Sequence, residues 1–258
     1  MAGGTVHFPG ADGQLLAARL DVPDGPVRAY ALFAHCFSCS KDVLAASRTA
    51  HGLARHGIAV LRFDFTGLGA SEGEFANTNF SSNIADLIAA VDFLRAEYAA
   101  PQLLVGHSLG GAAVLAATAT VPEARAVATI AAPSDPHHVT GLFGEHLDTI
   151  AEHGEARVRL AGREFTIRRQ FLEDIAEHSL AERIHALKLP LLVLHSPLDR
   201  TVPLSDAMQI FEAARHPKSF VSLDSADHLL TRREDAQYVA GVIAAWSARY
   251  LDSPHDAL

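Results

Sequence analysis

The stretch Leu103-Leu-Val-Gly-His-Ser-Leu-Gly-Gly-Ala-Ala-Val114 decides how the rest of the sequence is interpreted. Its apolar start predicts a buried strand and its small-residue end predicts a helix, with a sharp turn between them. Ser108 lies at that turn, where a serine hydroxyl would stand clear of the strand and be reachable by a base. Gly106 and Gly110 have no side chains to collide where the strand and helix pack closely. A chance Gly-x-Ser-x-Gly would not usually follow a strand and open a helix, so Ser108 is the candidate nucleophile.

Strand-like and helix-like segments alternate on both sides of this stretch. Strands are predicted at residues 14–20, 29–34, 58–63, 103–105, 126–131, 191–195 and 219–223. Helices are predicted at residues 42–56, 83–98, 111–120, 206–214 and 235–250. Such alternation is typical of a mostly parallel central sheet covered by helices on both faces. We therefore predict an α/β fold in a single domain over residues 1–258.

One long segment interrupts this alternation. It separates the strand that ends at residue 131 from the strand that begins at residue 191, and it is rich in His, Glu and Arg. An insertion of this size is typical of a cap or lid, which we place at residues 134–188. Within it, residues 158–167 predict a small hairpin that turns at Ala161-Gly162. An ordinary pair of helical crossovers with long loops is the alternative.

The composition limits the classes of partner. The chain has 258 residues, 49% of them hydrophobic, which is enough for one large core without metals or disulfides. Its 21 basic and 30 acidic residues give a formal net charge of -9, and no basic run is long enough to follow a phosphate backbone, so we expect no nucleic-acid partner. No apolar run is long enough to span a membrane, and the N-terminal residues lack a signal-peptide pattern. We therefore expect a cytoplasmic protein that does not bind membranes.

A serine nucleophile needs a general base, and 15 histidines compete for that role. His228 follows the strand predicted at residues 219–223, so its loop would reach the carboxyl edge of the sheet beside Ser108. His195 ends a strand and would point sideways, and His107 lies inside the turn that carries the serine. We therefore predict that His228 is the base.

A carboxylate on a neighbouring loop would hold the imidazole in one tautomer and offset its positive charge. Asp199 follows the apolar strand at residues 191–195, which gives the chain order Ser, Asp, His. Asp224 and Asp227 are too close to His228 in sequence to come from a separate loop. We therefore predict that Asp199 orients His228, the alternative being that Asp199 is only a turn residue.

The negative charge that develops on a tetrahedral acyl intermediate needs hydrogen-bond donors. One common donor is the backbone amide after the nucleophile, which here belongs to Leu109. A second commonly comes from the loop after an early strand, which here reads His35-Cys-Phe-Ser-Cys39. We predict that Phe37 is this donor, with Cys36 as the alternative. The turn at residues 64–71 has the polar and glycine residues of a structural loop beneath the site.

Five motifs resemble those of the α/β-hydrolase superfamily, and together they extend over nearly the whole chain. They are His35-Cys-Phe37, Phe63-Asp-Phe-Thr-Gly-Leu-Gly-Ala-Ser71, Gly106-His-Ser-Leu-Gly110, His195-Ser-Pro-Leu-Asp199 and Asp227-His228. Three further segments, at residues 36–42, 75–82 and 215–220, are similar to the hydrolase half of bacterial proteins that join an α/β hydrolase to an OsmC-like peroxidase domain. The resemblance implies an α/β-hydrolase fold with a small cap, a serine carboxylesterase activity and a functional link to an OsmC-like peroxidase.

The superfamily usually has His-Gly where this sequence has His35-Cys36, so a side chain is placed beside the predicted oxyanion loop. Cys36 and Cys39 are the two cysteines of the chain, too few for a disulfide-rich scaffold and without the second pair that a structural zinc site needs. We expect neither a metal nor another cofactor. We interpret the cysteines as small, partly buried thiols, the alternative being a thiol switch or redox centre.

These residues together predict a hydrolase that cleaves small-molecule carboxylic esters, with small to medium acyl groups, through an acyl-enzyme. Substrate contacts are expected from side chains near the serine and in the insertion, namely Phe37, His107, Phe143, Leu147, Phe165 and Phe171. The same triad would also serve a thioesterase, a lactonase, a perhydrolase or an enzyme that cleaves a carbon-carbon bond. A thiol-based redox or sensing module that uses the fold as a scaffold is the alternative of a different class. The oligomeric state is open.

Overall fold

An eight-stranded mixed sheet forms the centre of the computed structural model, which describes residues 4–252. The strands of the chain are β1 (Gly4–Pro9), β2 (Leu15–Asp21), β3 (Ala29–Ala34), β4 (Ile58–Phe63), β5 (Leu103–His107), β6 (Ala126–Ile130), β7 (Glu155–Leu160), β8 (Arg163–Arg168), β9 (Leu191–His195) and β10 (Lys218–Ser222). The order across the large sheet is β1-β2-β4-β3-β5-β6-β9-β10, and β7 and β8 form a separate hairpin. β2 pairs antiparallel with β1 and β4, and the other strand pairs of the large sheet are parallel. Residues 1–3 and 253–258, which the expected single domain includes, lie outside the described residues.

Side chains of the central strands alternate between two apolar cores, one on each face of the sheet. On β3, Leu32 and Ala34 contribute to the larger core, whereas Ala31 and Phe33 contribute to the other. All four side chains are fully buried, because successive residues of a strand point to opposite faces and both faces are covered.

Helices provide the cover on both faces. They are α1 (Leu44–Arg55), α2 (Phe80–Glu97), α3 (Leu109–Ala117), α4 (Leu147–His153), α5 (Arg169–Ala176), α6 (Leu180–Ala186), α7 (Leu204–Ala213) and α8 (Arg233–Leu251). α1 and α8 contribute their apolar residues to the core that contains Phe33, and the other six helices contribute to the core that contains Leu32. The predicted α/β class, with a mostly parallel sheet between two helical layers, is confirmed.

The insertion between β6 and β9 has more regular structure than the sequence pattern indicated. A 3-10 helical segment (Pro136–His146) comes first, and α4, the β7–β8 hairpin, α5 and α6 follow. The predicted hairpin is present and turns at Ala161 and Gly162, which have positive φ angles of 47° and 81°. Gln170 of α5 accepts a hydrogen bond from the Asn79 side chain at 2.8 Å, so the insertion is tied to the start of α2. Its role as a cap stays a prediction.

Several predicted bounds of the elements differ from the structure, and one strand was missed. α2 begins at Phe80 and not at residue 83, because the Asn79 side chain accepts from the Ser82 amide at 2.8 Å and the Ser82 hydroxyl lies 2.9 Å from the Asn79 amide. β6 ends one residue early, because Ala131 adopts a φ of 49°, which a strand does not allow. β1 was not predicted, and it completes the antiparallel edge by pairing with β2.

Two helix glycines allow a test of how closely α1 and α8 pack. A Cβ added to Gly52 of α1 would come within 2.3 Å of the Ala240 Cβ on α8, whereas a Cβ on Gly241 would meet no atom within 4 Å. Alanine is favoured over glycine inside a helix by about 0.5–1 kcal/mol, so Gly241→Ala should stabilise the protein by up to that amount. Gly52→Ala should instead destabilise it by about 1–3 kcal/mol, because the added methyl group overpacks the contact. Urea unfolding measures both, and a stabilised Gly52→Ala would contradict the close contact of the two helices.

Candidate functional site

Ser108 occupies a strained turn at the carboxyl end of β5, directly before α3. Its φ of 56° and ψ of -130° lie outside the regions that most residues adopt. A Cβ on Gly106 would lie 2.4 Å from the Gly110 carbonyl oxygen, so the turn has no room for a side chain at residue 106. The Ser108 amide donates to the Ile130 carbonyl at 2.9 Å, which ties the turn to β6. The serine is thereby held at the edge of the sheet, where it is 9% exposed.

Three loops bring a hydroxyl, an imidazole and a carboxylate into one hydrogen-bonded row. The Ser108 Oγ lies 3.0 Å from His228 Nε2, and His228 Nδ1 lies 2.8 Å from Asp199 Oδ2. Because a carboxylate only accepts, Nδ1 carries the proton and Nε2 is left to accept from the hydroxyl. The other oxygen of Asp199 accepts from the amides of Thr201 and Val202 at 2.8 and 3.0 Å. The structure therefore brings together the three residues that the sequence predicted for the row.

The surroundings of Asp199 favour its ionised form. Burial by itself would raise the pKa of this carboxyl. The hydrogen bond and positive charge of His228, together with the amides of Val202 and Thr201, outweigh burial and lower the pKa of Asp199 below its ordinary value. Asp199 therefore stays an acceptor at neutral pH, as the orientation of His228 requires.

The rival carboxylates have other contacts. The Asp227 side chain accepts from the amides of Leu229 and Thr231, both at 3.0 Å, and so braces the loop that carries His228. Asp224 lies 3.0 Å from a serine hydroxyl at the end of β10. Asp199 is thus the carboxylate that contacts the His228 ring.

Two other histidines at the sheet edge contact backbone carbonyls. His195 Nε2 lies 2.9 Å from the Val202 carbonyl, inside the loop that carries Asp199. His107 Nε2 donates to the carbonyl of His228 at 2.7 Å. Burial, together with the nearby His228, lowers the pKa of His107 to about 3, so its ring is neutral at physiological pH. His107 has no exposed surface and lies against the His228 loop, so the expected contact with substrate is replaced by a contact that holds this loop.

The loops after β3 and β5 meet at the carboxyl edge of the sheet. The chain passes from β3 outward to β4 on one side and from β5 outward to β6 on the other, and ligands of open α/β sheets bind at such a switch point. A Cβ on Gly110 would lie 2.4 Å from the carbonyl oxygens of Ala34 and His35, so the start of α3 touches the loop after β3. Phe37 and Leu109, the predicted oxyanion donors, line one small cavity at this contact.

Cys36 and Cys39 are joined by a disulfide, which corrects the expectation of two separate thiols. A tight turn brings their Cα atoms to 5.3 Å, within the range that a disulfide spans. The Cys39 amide donates to the Cys36 carbonyl at 3.2 Å across the same turn. Phe37 therefore lies inside a short covalent ring, with Cys36 buried and Cys39 half-buried.

A buried ion pair that the sequence analysis missed anchors the far end of this loop. Asp64 follows β4 and is fully buried, and it accepts from the Lys41 amide at 2.5 Å and from the Lys41 ammonium at 2.8 Å. It also accepts from the Ala70 amide at 2.9 Å. A Cβ on Gly69 would lie 2.2 Å from Asp64 Oδ2, which explains the glycine in the turn at residues 64–71. Lys41 and Asp64 belong to different loops, and no spacing in the sequence pairs them.

Phenylalanines of the insertion pack around Phe37. The centroid of the Phe37 ring lies 5.2 Å from that of Phe171 and 6.4 Å from that of Phe143. Phe75, which the sequence analysis did not single out, lies 5.3 Å from Phe37 and 4.7 Å from Phe165. Four of the predicted substrate contacts therefore belong to one aromatic cluster that begins at the predicted oxyanion loop.

The β7–β8 hairpin also contacts this loop directly. The Arg163 guanidinium donates to the Ser38 carbonyl, and its central carbon lies 5.1 Å from the centre of the Phe165 ring. Leu147, the remaining predicted contact, is partly buried and packs against the same core as Phe37. The insertion thus covers the aromatic ring of Phe37 and touches the backbone of the disulfide ring.

Residues 4–252 contain no group of three or more His, Cys, Asp or Glu side chains placed to hold a metal ion. Within the same residues, no helix combines the length and the apolar character needed to cross a membrane.

Comparisons with known proteins identify the family to which this fold belongs. A family model described as serine aminopeptidase, S33, matches residues 26–153. The crystal structure of the esterase domain from a Rhodothermus marinus protein is 51% identical in sequence, covers 97% of this chain and 100% of that chain, and has a TM-score of 0.79. The chain belongs to the α/β-hydrolase superfamily.

More distant relatives of this α/β hydrolase are also hydrolases by name. The mitochondrial palmitoyl-protein thioesterase ABHD10 of Rattus norvegicus is 29% identical over 188 residues, which are 69% of this chain and 62% of that protein. The chain thus matches less than two thirds of the length of that curated relative. Monoglyceride lipase of Mus musculus is 25% identical over 257 residues, or 88% of this chain and 84% of that protein. These relatives are hydrolases by name, and they differ in the acyl compounds that their names state.

The buried His107 predicts how the stability of this hydrolase depends on pH. Its pKa of about 3 in the folded protein is below the ordinary 6.5, so the unfolded chain binds a proton first as the pH falls. This group therefore leaves stability unchanged above about pH 6.5 and reduces it progressively between about pH 6.5 and pH 3. Between pH 7 and pH 5, wild type should lose roughly 1–2 kcal/mol more unfolding free energy than His107→Gln, which keeps a donor but does not titrate.

Urea unfolding of the two proteins at both pH values measures this difference. Other titrating groups are shared by wild type and His107→Gln, so their effects cancel in the comparison. Equal losses in the two proteins would show that the ring of His107 is not held neutral in the folded state.

Proposed function

We propose that this hydrolase is a serine esterase that cleaves carboxylic esters with small to medium acyl groups. The observation that carries the proposal is the row of contacts from Ser108 to His228 and from His228 to Asp199, at 3.0 and 2.8 Å. Acyl transfer by a serine needs a nucleophile, a base within hydrogen-bond reach and a carboxylate that orients the base, and the row supplies all three. The Rhodothermus marinus relative is described as an esterase domain, which supports the same class of reaction.

The first half of the reaction forms an acyl-enzyme. His228 Nε2 takes the proton of the Ser108 hydroxyl as the serine oxygen attacks the ester carbonyl carbon. The imidazolium that forms is stabilised by the ionised Asp199, whose lowered pKa keeps it from taking the proton itself. His228 then gives the proton to the leaving alcohol, and the acyl group stays on Ser108.

The second half repeats these steps with water. His228 withdraws a proton from a water molecule, which attacks the acyl carbon, and the carboxylic acid leaves as Ser108 recovers its proton. The amides of Leu109 and Phe37 donate to the oxyanion in both halves. Leu109 is the first residue of α3, where a helix has no internal partner for its amides, so this donor is available to substrate.

The aromatic cluster supports a limit on acyl length. Phe37, Phe143 and Phe171 are each less than 10% exposed and pack on one another beside the proposed oxyanion loop. A long acyl chain would need these rings to separate, whereas a short one would need less space. Small and medium acyl groups are therefore the proposed substrates, and the cytoplasmic location stays a prediction.

Replacing the nucleophile tests the proposal most directly. Ser108→Ala should lower kcat for a p-nitrophenyl ester by at least about 10³-fold, because no other group performs the attack. A fluorophosphonate probe should label wild type and not Ser108→Ala. Ser47→Ala, a matched control on α1, should be labelled by the probe and should turn over the ester at the wild-type rate. Wild-type turnover in a folded Ser108→Ala would contradict the assignment of the nucleophile.

Thioesters are the second candidate class of substrate, because the rat relative is named a palmitoyl-protein thioesterase. An ester and a thioester that carry the same acyl group separate the two classes by their kcat/KM. We expect wild type to prefer the ester and to favour butyrate over palmitate by at least about tenfold. Phe171→Leu, which removes part of the cluster, should reduce the preference for butyrate. A wild type that cleaves palmitoyl thioesters best would overturn the proposed substrate class and leave the role of Ser108 intact.

A further inference from the structure

The disulfide encloses the residue proposed to bind the oxyanion. Phe37 and Ser38 are the residues between the linked cysteines, Cys36 and Cys39. We propose that this disulfide is a redox modification site, at which a dithiol reductant opens the ring and thereby slows acyl transfer at Ser108. The inference rests on the proposed function, because its main readout is hydrolysis that depends on this serine.

The loop is anchored firmly on both sides of the ring. Before the ring, Ala34 pairs with Gly106 in the parallel ladder between β3 and β5. After the ring, Lys41 is held by the buried carboxylate of Asp64 at 2.5 and 2.8 Å. These anchors fix the ends of the loop, but neither contacts the Phe37 peptide group.

Between the anchors, His35 Nδ1 donates to the Cys36 carbonyl at 2.7 Å, and the rest of the backbone is held by weaker contacts and by the covalent link. The Cys39 amide reaches the Cys36 carbonyl at 3.2 Å, which is at the long end for such a bond. Ser38 accepts from Arg163, an exposed side chain of the insertion. The Phe37 ring packs on Phe171, also in the insertion. The disulfide is thus the covalent link that holds Cys39 beside Cys36, and so closes the turn around Phe37, independently of the insertion.

Exposure decides which sulfur a reductant reaches. Cys36 is 5% exposed, whereas Cys39 is half-buried and nearer to solvent. A thiolate of the dithiol attacks the Cys39 sulfur and forms a mixed disulfide, and Cys36 leaves with the electron pair as a thiolate that takes up a proton. The second thiol of the reductant then attacks the reductant sulfur that is bonded to Cys39, and Cys39 leaves as a thiolate that takes up a proton. The protein gains two electrons and two protons, and the dithiol becomes a cyclic disulfide.

Opening the ring should affect the transition state more than substrate binding. The Phe37 amide must meet the oxyanion at hydrogen-bond distance, and misplacement of a catalytic group by about 1 Å can lower a rate by about 10²-fold. Apart from Phe37, the rings of the aromatic cluster belong to other elements, so Phe75, Phe143, Phe165 and Phe171 stay in place to contact the acyl group. We therefore expect kcat to fall by about tenfold or more on reduction, with KM changed by less than about threefold.

The test compares the full chain in its two thiol states. Wild type is reduced with dithiothreitol, freed of reductant under nitrogen and assayed with p-nitrophenyl butyrate, and its thiols are counted before and after. The expected result is no reactive thiol with high kcat before reduction, two thiols with low kcat after it, and recovery of kcat on reoxidation. The double variant Cys36→Ser/Cys39→Ser should have the kcat of the reduced enzyme, and dithiothreitol should not change that kcat. Ser40→Ala, a matched control just outside the ring, should keep the full response.

Two results would overturn the proposal: a ring that dithiothreitol does not open in the folded protein, or a kcat that does not follow the thiol count. Failure of the proposed function looks different, since wild-type turnover would then equal that of Ser108→Ala in both thiol states. Loss of folding in the double variant would not interfere, because the wild-type comparison uses one sequence, and circular dichroism of the reduced enzyme shows whether it is folded.

Discussion

Backbone meets backbone at the carboxyl edge of the sheet, and the site depends on this contact. A Cβ on Gly106 would lie 2.4 Å from the Gly110 carbonyl, and a Cβ on Gly110 would lie equally close to the Ala34 carbonyl. These distances are too short for any side chain, so glycine sets how near β5, α3 and the loop after β3 can approach. Because Ser108 and Leu109 stand between the two glycines, their positions relative to the loop follow from the same contact.

The parallel register extends this arrangement to the other loops. β6 and β9 are neighbours, as are β9 and β10, so their carboxyl ends lie along one edge. The Leu223 amide donates to the His195 carbonyl at 2.9 Å, which joins the loops that carry His228 and Asp199. His107, next to the serine, holds the His228 carbonyl at 2.7 Å. The loops that carry Ser108, Asp199 and His228 are therefore held to one another by hydrogen bonds.

Buried charges brace the loop after β3. Asp64 holds Lys41, and Arg62 Nε donates to Asp21 Oδ2 at 2.6 Å between the adjacent strands β4 and β2. Both pairs are almost fully buried, so the cost of removing the charges from water offsets much of their attraction. Arg62 also lies 2.7 Å from Asp42, next to the residue that Asp64 holds. These pairs fix the position of the loop more specifically than hydrophobic contacts alone would.

The sequence by itself determined the described strands other than β1, the two helical layers and the serine turn. The apolar run of β3 and the glycines around Ser108 are local properties of the chain, and the order of Asp199 and His228 follows from the strands that precede them. Only the tertiary structure decided the pairing of Lys41 with Asp64, the contact of Phe75 with Phe165, and the support that His107 gives to the loop of His228. Each of these joins residues from separate elements, and the distance between such residues is set by how loops and helices pack, which no spacing along the chain encodes. The disulfide is decided by the conformation of its turn, because two cysteines three residues apart can be bonded or free depending on the backbone angles between them.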